Sequence, residues 1–150
     1  MFYFAYGSSM EHRHMQECCP GAKFVGLAIL DGYWLVFDSF SPRWGGAMAN
    51  ITPSAQDEVW GGLYEIADED IAKIDNYEGY PKYYKRSILD VLRPGREGKI
   101  KAWVYFREPQ ADGVPSRRYQ ETLIRGARDC GIPEDYIASM IDVVHRPDGS

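Results

Sequence analysis

Through the first two thirds of the chain, apolar residues alternate with polar ones or gather in short runs; in the last third they recur at intervals of three and four. This change of period predicts strands followed by helices. The aromatic-rich Phe2-Tyr3-Phe4-Ala5-Tyr6 predicts a first strand that breaks abruptly into Gly7-Ser8-Ser9. Glu11 to Cys18 predicts a short helix ended by Pro20-Gly21, and Lys23 to Leu30 and Tyr33 to Asp38 predict a hairpin around an Asp31-Gly32 turn. Ser39 to Gly46 has turn chemistry, and the nearly continuous apolar stretches Ala47 to Ile51 and Glu58 to Ile66 read as central strands. Asp68 suits the N-cap of a helix over about 69–77, with Ile71, Ile74 and Tyr77 on one face. Tyr83 to Leu92 and Lys99 to Phe106 predict two more strands around the Arg93 to Gly98 turn. Ser116 then caps a helix carrying Tyr119, Leu123, Ile124 and Ala127 and stopped by Gly131; Pro133 opens another with Ile137, Met140 and Ile141, and the tail after Val144 is expected to fray.

The resulting fold class is α+β. Roughly six or seven strands with few helices to cover both faces would leave open edges, so the expected architecture is a small closed or nearly closed mixed β-barrel with short helices packed outside. A length of 150 residues with 45% hydrophobic content suits one domain spanning residues 1–150. The net charge of −5, without a basic block, argues against nucleic acid as a partner. No apolar run approaches the roughly 20 residues of a spanning helix and no signal-peptide pattern opens the chain, so a cytoplasmic protein that does not engage the membrane is expected. The three cysteines, Cys18, Cys19 and Cys130, fit neither a disulfide framework nor a metal knuckle, and read as reduced thiols.

Two places carry candidate chemistry. The Tyr6-Gly7-Ser8-Ser9-Met10 turn has little side-chain bulk; Gly7 can adopt positive φ and aim successive amides at a carboxylate or an oxyanion. An ordinary strand end has the same composition. Glu78 precedes Gly79 at the negative end of the predicted helix, among Tyr77, Tyr80, Tyr83 and Tyr84. Both the helix end and the loss of hydration favour its protonated form, which would raise its pKa toward the range useful for proton transfer. The alternative is an exposed glutamate before a helix-ending glycine. His12-x-His14 near Cys18-Cys19 fits no common zinc spacing and reads as solvent-facing, so no metal is assigned. Ser8 and Ser9 lack a nucleophile-elbow motif, and His145 in the tail is a poor partner for them. Of the tryptophans, Trp44 beside Gly45-Gly46 is the one placed to line a pocket.

These residues, in this order and spacing, resemble the γ-glutamylcyclotransferase family. The resemblance rests on Phe4-Ala5-Tyr6-Gly7-Ser8-Ser9 near the N-terminus, Trp44 to Ala49, Asp57 to Gly61, Asp75-x-x-Glu78-Gly79 followed by Tyr83-Tyr84-Lys85-Arg86, and Tyr119 to Pro133. It covers nearly the whole chain. It implies a small barrel with outer helices, and a reaction in which the α-amino group of a γ-glutamyl compound attacks its own γ-carbonyl, giving 5-oxoproline and a free amine. It also implies that Glu78 is the general acid/base, that the Tyr6 to Met10 loop fixes the γ-glutamyl part, and that no cofactor takes part. Tyr84 is a secondary candidate for an aromatic wall, because the interval from Glu78 is one residue shorter than in the animal enzyme. Tyr105 either donates a hydrogen bond into the pocket or packs in the core. Ser9 stands where many members carry Asn. The implied partner is a small-molecule γ-glutamyl substrate; a homodimer is compatible with the resemblance.

Three functions remain open from the residues: cyclotransferase action on γ-glutamyl amino acids, the same chemistry on γ-glutamyl amines, or binding of a small acidic ligand or protein without turnover.

Overall fold

The computed structural model describes residues 1–144. Five strands, β1 (Phe2–Ala5), β2 (Lys23–Ser41), β3 (Gly46–Glu65), β4 (Lys85–Leu92) and β5 (Lys99–Phe106), close into a barrel in the order β1-β3-β2-β4-β5. All neighbours are antiparallel except β1 and β5, which run parallel where Tyr3 meets Trp103, so the barrel is mixed as expected. Four helices complete the described elements: α1 (His12–Cys18), α2 (Asp70–Glu78), α3 (Arg117–Asp129) and α4 (Glu134–Val144). A single 3₁₀ turn, Ser8–Met10, joins β1 to α1. No helix is long and apolar enough to cross a membrane.

The strand count is lower than the sequence predicts because β2 and β3 are uninterrupted. They pair from Lys23 opposite Glu65 to Ser41 opposite Gly46. Asp31-Gly32 is not a hairpin turn: Gly32 takes φ of 85° in a bulge, the register shifts between Asp31 and Tyr33, and the ribbon continues with Pro53 opposite Tyr33. A bulge and a two-residue turn ask for the same glycine, and local composition does not separate them. The chain reverses instead at 42–45, where Gly45 has φ of 77° and the Trp44 amide donates to Ser41 Oγ. The inward alternation resumes beyond the bulge: Ala28 and Leu30 are buried before it, Leu35 and Phe37 after it.

Two boundaries also differ. Asp68 does not cap α2; Glu69 occupies the cap position, and the buried Asp70 instead accepts a hydrogen bond from the Ala67 amide at 3.0 Å. β4 begins at Lys85 rather than Tyr83, because the Tyr83 amide turns back to the Gly79 carbonyl. Ser116 caps α3 as expected, its Oγ accepting from the Tyr119 amide, and Gly131 follows the helix with φ of 77°. The expectations for the Ile141 side chain, for His145 and for the tail beyond Val144 lie outside the described residues.

Phe4, Leu30, Val59, Leu63, Val91 and Val104 are fully buried in the core, each such side chain contributing about 1.5–3 kcal/mol of transfer free energy. Tyr119, Leu123 and Ala127 bury the inner face of α3, which packs on the 3₁₀ turn. There Gly126 touches backbone: a Cβ at that position would come within 2.5 Å of the Glu11 nitrogen and 2.8 Å of the Met10 carbonyl carbon. Alanine ordinarily favours a helix over glycine by about 1 kcal/mol. Here the contact outweighs propensity, and Gly126→Ala is expected to lower stability by about 1–3 kcal/mol, read from the urea midpoint. An unchanged or raised midpoint would show that α3 does not press on the turn.

Candidate active site

A cavity of about 320 Å³ opens where the end of β1, the β2–β3 loop, the C-terminus of α2 and the strands β4 and β5 converge. β1 and the turn after it bring Tyr6, Gly7, Ser8 and Ser9; the loop brings Arg43 and Trp44; α2 brings Tyr77 and Glu78. Tyr84, Tyr105 and Arg107 come from the opposite side of the barrel, and Tyr119 from α3. The structure thus gathers Glu78, Tyr6, Gly7, Ser8, Ser9, Tyr84 and Tyr105 around one space.

Met10 is the exception. It is the last residue of the 3₁₀ turn, its side chain is fully buried in the core, and its carbonyl accepts from Tyr64 Oη at 3.2 Å and from the Cys130 thiol at 3.4 Å. The tight turn rotates it away from Gly7-Ser8-Ser9, so it does not line the cavity. Gly7 also departs from expectation: its φ is −117°, not positive, and the bend is made by the 3₁₀ turn that follows. The turn uses the Gly7 and Ser8 carbonyls, which accept from the Met10 and Glu11 amides at 3.0 and 3.2 Å. The amides of Gly7, Ser8 and Ser9 have no backbone acceptor among the described residues.

Glu78 is the last residue of α2, and Gly79 ends the helix in the left-handed region with φ of 75°, where a Cβ would also strike the Tyr83 ring. The Glu78 side chain is half-buried on the cavity wall, and among the described residues nothing donates a hydrogen bond to its carboxylate or pairs with it. Burial pushes its pKa up from the ordinary 4.5 to about 7, against the opposing pull of the Arg43 and Arg107 charges. The carbonyl end of the helix acts in the same direction as burial.

One turn earlier, Asp75 fixes this helix end to the barrel. Arg86 of β4 grips it with two hydrogen bonds, Nε to Oδ1 at 2.8 Å and Nη2 to Oδ2 at 3.1 Å, and Tyr105 Oη donates to Oδ1 at 2.6 Å. The Arg86 guanidinium lies 4.4 Å from both the Tyr80 and Trp103 rings. Tyr105 therefore spends its hydroxyl on Asp75 and offers the cavity its ring. Tyr80, expected beside Glu78, covers Arg86 instead. Tyr6 Oη donates to the Tyr105 carbonyl at 2.6 Å, and Ser8 Oγ lies 3.2 Å from Tyr77 Oη.

The far wall holds a buried polar group that the sequence reading missed. Arg107, just beyond β5, donates through Nη2 to Asp38 Oδ1 at 2.7 Å; Asn50 donates to Asp38 Oδ2 at 3.1 Å and accepts from the Arg107 amide at 2.9 Å. The guanidinium lies 4.7 Å from the Tyr84 ring, whose hydroxyl donates to the Ala49 carbonyl at 2.8 Å. Asp38 and Asn50 stand within long strands where polar residues ordinarily face solvent, and only their side-chain contacts with residue 107 in the folded barrel reveal the group. Trp44 lines the cavity as expected and meets Tyr119 edge-on at 5.0 Å.

The histidines correct another expectation. His12 packs on Phe24 with ring centroids 4.4 Å apart and His14 on Tyr77 at 4.6 Å, so both are half-buried by aromatic contact rather than solvent-facing. Among the described residues, no three His, Cys, Asp or Glu side chains converge as metal ligands.

The chain is similar in sequence and in fold to known proteins. The AIG2-like family model matches residues 58–140, a span that includes Glu78, Asp75, Arg86 and Tyr105. A mouse protein named gamma-glutamylcyclotransferase is 33% identical over 141 residues, 89% of this chain and 73% of its own. The human protein of that name is 31% identical over the same shares. A solved structure of a gamma-glutamyl cyclotransferase superposes with a TM-score of 0.88 at 26% identity, covering 99% of this chain and 89% of that one. The crystal structure of YkqA from Bacillus subtilis shares the fold, with a TM-score of 0.83 at 24% identity over 96% of this chain and 54% of that one. In sequence and in fold, the chain belongs to the γ-glutamylcyclotransferase family.

Proposed function

We propose that this protein converts a γ-glutamyl amino acid or γ-glutamyl amine into 5-oxoproline and the free amine, with Glu78 as the one general acid/base. The substrate's α-ammonium gives a proton to the Glu78 carboxylate, and the freed amine attacks the γ-carbonyl carbon. A C–N bond forms to close the five-membered ring, and the original amide C–N bond breaks. Two protons leave the attacking nitrogen in all, and both end on the departing amine, carried there by Glu78. Only one shuttle is needed, and the reaction consumes no water and calls for no cofactor.

The observation that carries this reading is the state of Glu78. A carboxyl with a pKa of about 7 both accepts and donates a proton readily near neutrality, and its lack of a protein partner leaves it available to the substrate. The Gly7, Ser8 and Ser9 amides supply donors for the substrate's α-carboxylate or for the oxyanion that develops on the γ-carbonyl. Tyr6, Tyr84 and Tyr105 shape the walls. Because attack is intramolecular, holding the extended γ-glutamyl chain in a ring-closing geometry supplies much of the acceleration.

Glu78→Gln keeps the shape and removes the proton carrier. It is expected to fold as the parent does, by circular dichroism, and to lose at least about two orders of magnitude in kcat for 5-oxoproline release. Turnover close to the parent's, or glutamate as the main product, would contradict the role given to Glu78. In the parent, kcat/KM is expected to rise with pH through an ionisation near 7 and then level off, since the carboxylate form is the base that starts the reaction. A profile that falls through that region, or stays flat from pH 5 to 9, would mean that another group takes the first proton.

A further inference from the structure

Of the large apolar side chains that the fold leaves in water, two line the cavity: Phe40, 65% exposed, and Tyr83, 66% exposed. Single exposed apolar residues are ordinary on a protein surface, but two at the open edge of one cavity are an apolar surface continuous with it. Neither ring sits there through a slack backbone. Between the pairs Asp38–Met48 and Ser41–Gly46, β2 carries Ser39 and Phe40 opposite Ala47 alone, so the strand bulges. Ser39 takes φ of 61°, a left-handed conformation that glycine adopts freely and a residue with a Cβ adopts at a cost. The bulge is tied to the loop after β5: the Ser39 amide donates to the Ala111 carbonyl at 3.3 Å, and the Gly113 amide donates to the Phe37 carbonyl at 3.1 Å. Bulges next to active sites re-aim side chains, and here the side chain is Phe40. Tyr83 is fixed by a different device. Its amide donates to the Gly79 carbonyl at 2.7 Å, and its ring lies so close to Gly79 that a Cβ there would come within 2.7 Å of it. The ring is thereby pinned against the residue that follows Glu78.

We infer that Phe40 and Tyr83 form an apolar subsite for the side chain of the departing group, so that this protein prefers γ-glutamyl compounds whose departing group carries an aromatic or branched aliphatic chain. This deepens the reaction proposed above and rests on it. In that reaction the γ-glutamyl part lies between Glu78 and the Gly7 to Ser9 amides, and the bond that breaks joins it to a group that extends toward the open edge. The two rings are the apolar surface met there. The departing side chain is their occupant because the rings are continuous with the cavity that holds the rest of the same molecule. A large apolar chain removes its own surface and part of both rings from water, which favours binding roughly in proportion to the area covered. A small chain leaves the rings in water, and a charged chain loses hydration against them.

The test uses two substrates that differ only by a phenyl ring, γ-glutamylphenylalanine and γ-glutamylalanine, with 5-oxoproline release as the readout. For the parent, kcat/KM is expected to favour γ-glutamylphenylalanine by about tenfold, the effect of covering one ring with two others. Phe40→Ala and Tyr83→Ala are each expected to cut that preference by about threefold through a higher KM for γ-glutamylphenylalanine, and the double variant to remove it. Tyr83→Phe keeps the preference, because the subsite uses the ring and not the hydroxyl. Both side chains are mostly exposed, so their truncation leaves the core intact. Any effect on Glu78 moves both substrates alike, and the ratio cancels it. Equal kcat/KM for the two substrates in the parent, or a double variant that keeps the parent's ratio, overturns the subsite and leaves the cyclotransferase reading standing. So does a parent that sediments as a dimer with a double variant that sediments as a monomer, which would give the two rings to a second copy of the chain. Release of 5-oxoproline from neither substrate overturns both readings.

Discussion

A carboxyl group drawn out of water without a hydrogen-bond donor to replace its hydration is costly, and the fold imposes that condition on Glu78, whose desolvation outweighs the pull of the Arg43 and Arg107 charges. The surrounding structure holds it there. The barrel wall supplies Asp75, Arg86 and Tyr105, whose charge-assisted hydrogen bonds clamp the helix one turn before Glu78; Gly79 lets the chain leave immediately afterwards. The two carboxylates, three residues apart on one helix, thus have different environments: one is hydrogen-bonded by a guanidinium and a hydroxyl, and the other has no hydrogen-bond donor among the described residues and feels the Arg43 and Arg107 charges only at a distance. The folded-state pKa of Glu78, about 7, lies above the ordinary 4.5. Its contribution to stability is therefore fully present below about 4.5 and is lost as pH rises through about 7. The same burial that favours proton transfer opposes folding at neutral pH.

The second constraint is the approach of α3 to the 3₁₀ turn. Gly126 lets the helix lie directly on the Met10–Glu11 backbone, and this contact holds in place the amides proposed to bind the γ-glutamyl end. The donors and the base come from elements far apart in sequence, with the barrel as their common frame. Closure through the single parallel pairing of β1 with β5 brings residue 7 and residue 105 to the same space.

Much of this was legible in the residues. The change of hydrophobic period placed the helices, the aromatic strand ending in Gly-Ser-Ser marked the turn, and an acid before a helix-ending glycine among tyrosines marked Glu78. The misreadings share a physical cause. Gly32 and Pro53 look like strand breakers in a local window, yet a long two-stranded ribbon accommodates both, the first as a bulge and the second opposite Tyr33. Gly7 looked like a positive-φ residue, but the 3₁₀ turn achieves the bend from ordinary backbone angles. The Asp38–Asn50–Arg107 group was invisible because its members come from β2, β3 and the chain just beyond β5 and touch only in the folded barrel, a contact that no local spacing encodes. The role of the Tyr105 hydroxyl stayed open in the sequence for the same reason: its acceptor, Asp75, arrives from another element.

The central claim is that the fold holds Glu78 partly protonated at neutral pH, before any substrate is present. Carbon-13 NMR of protein labelled at glutamate side-chain carboxyls measures this directly, with the Glu78 resonance identified by its absence from the Glu78→Gln variant. Its chemical shift is predicted to titrate with a midpoint close to 7, clear of the other glutamates. A midpoint near the ordinary 4.5 would contradict the claim and leave Glu78 an unremarkable carboxylate at the end of a helix.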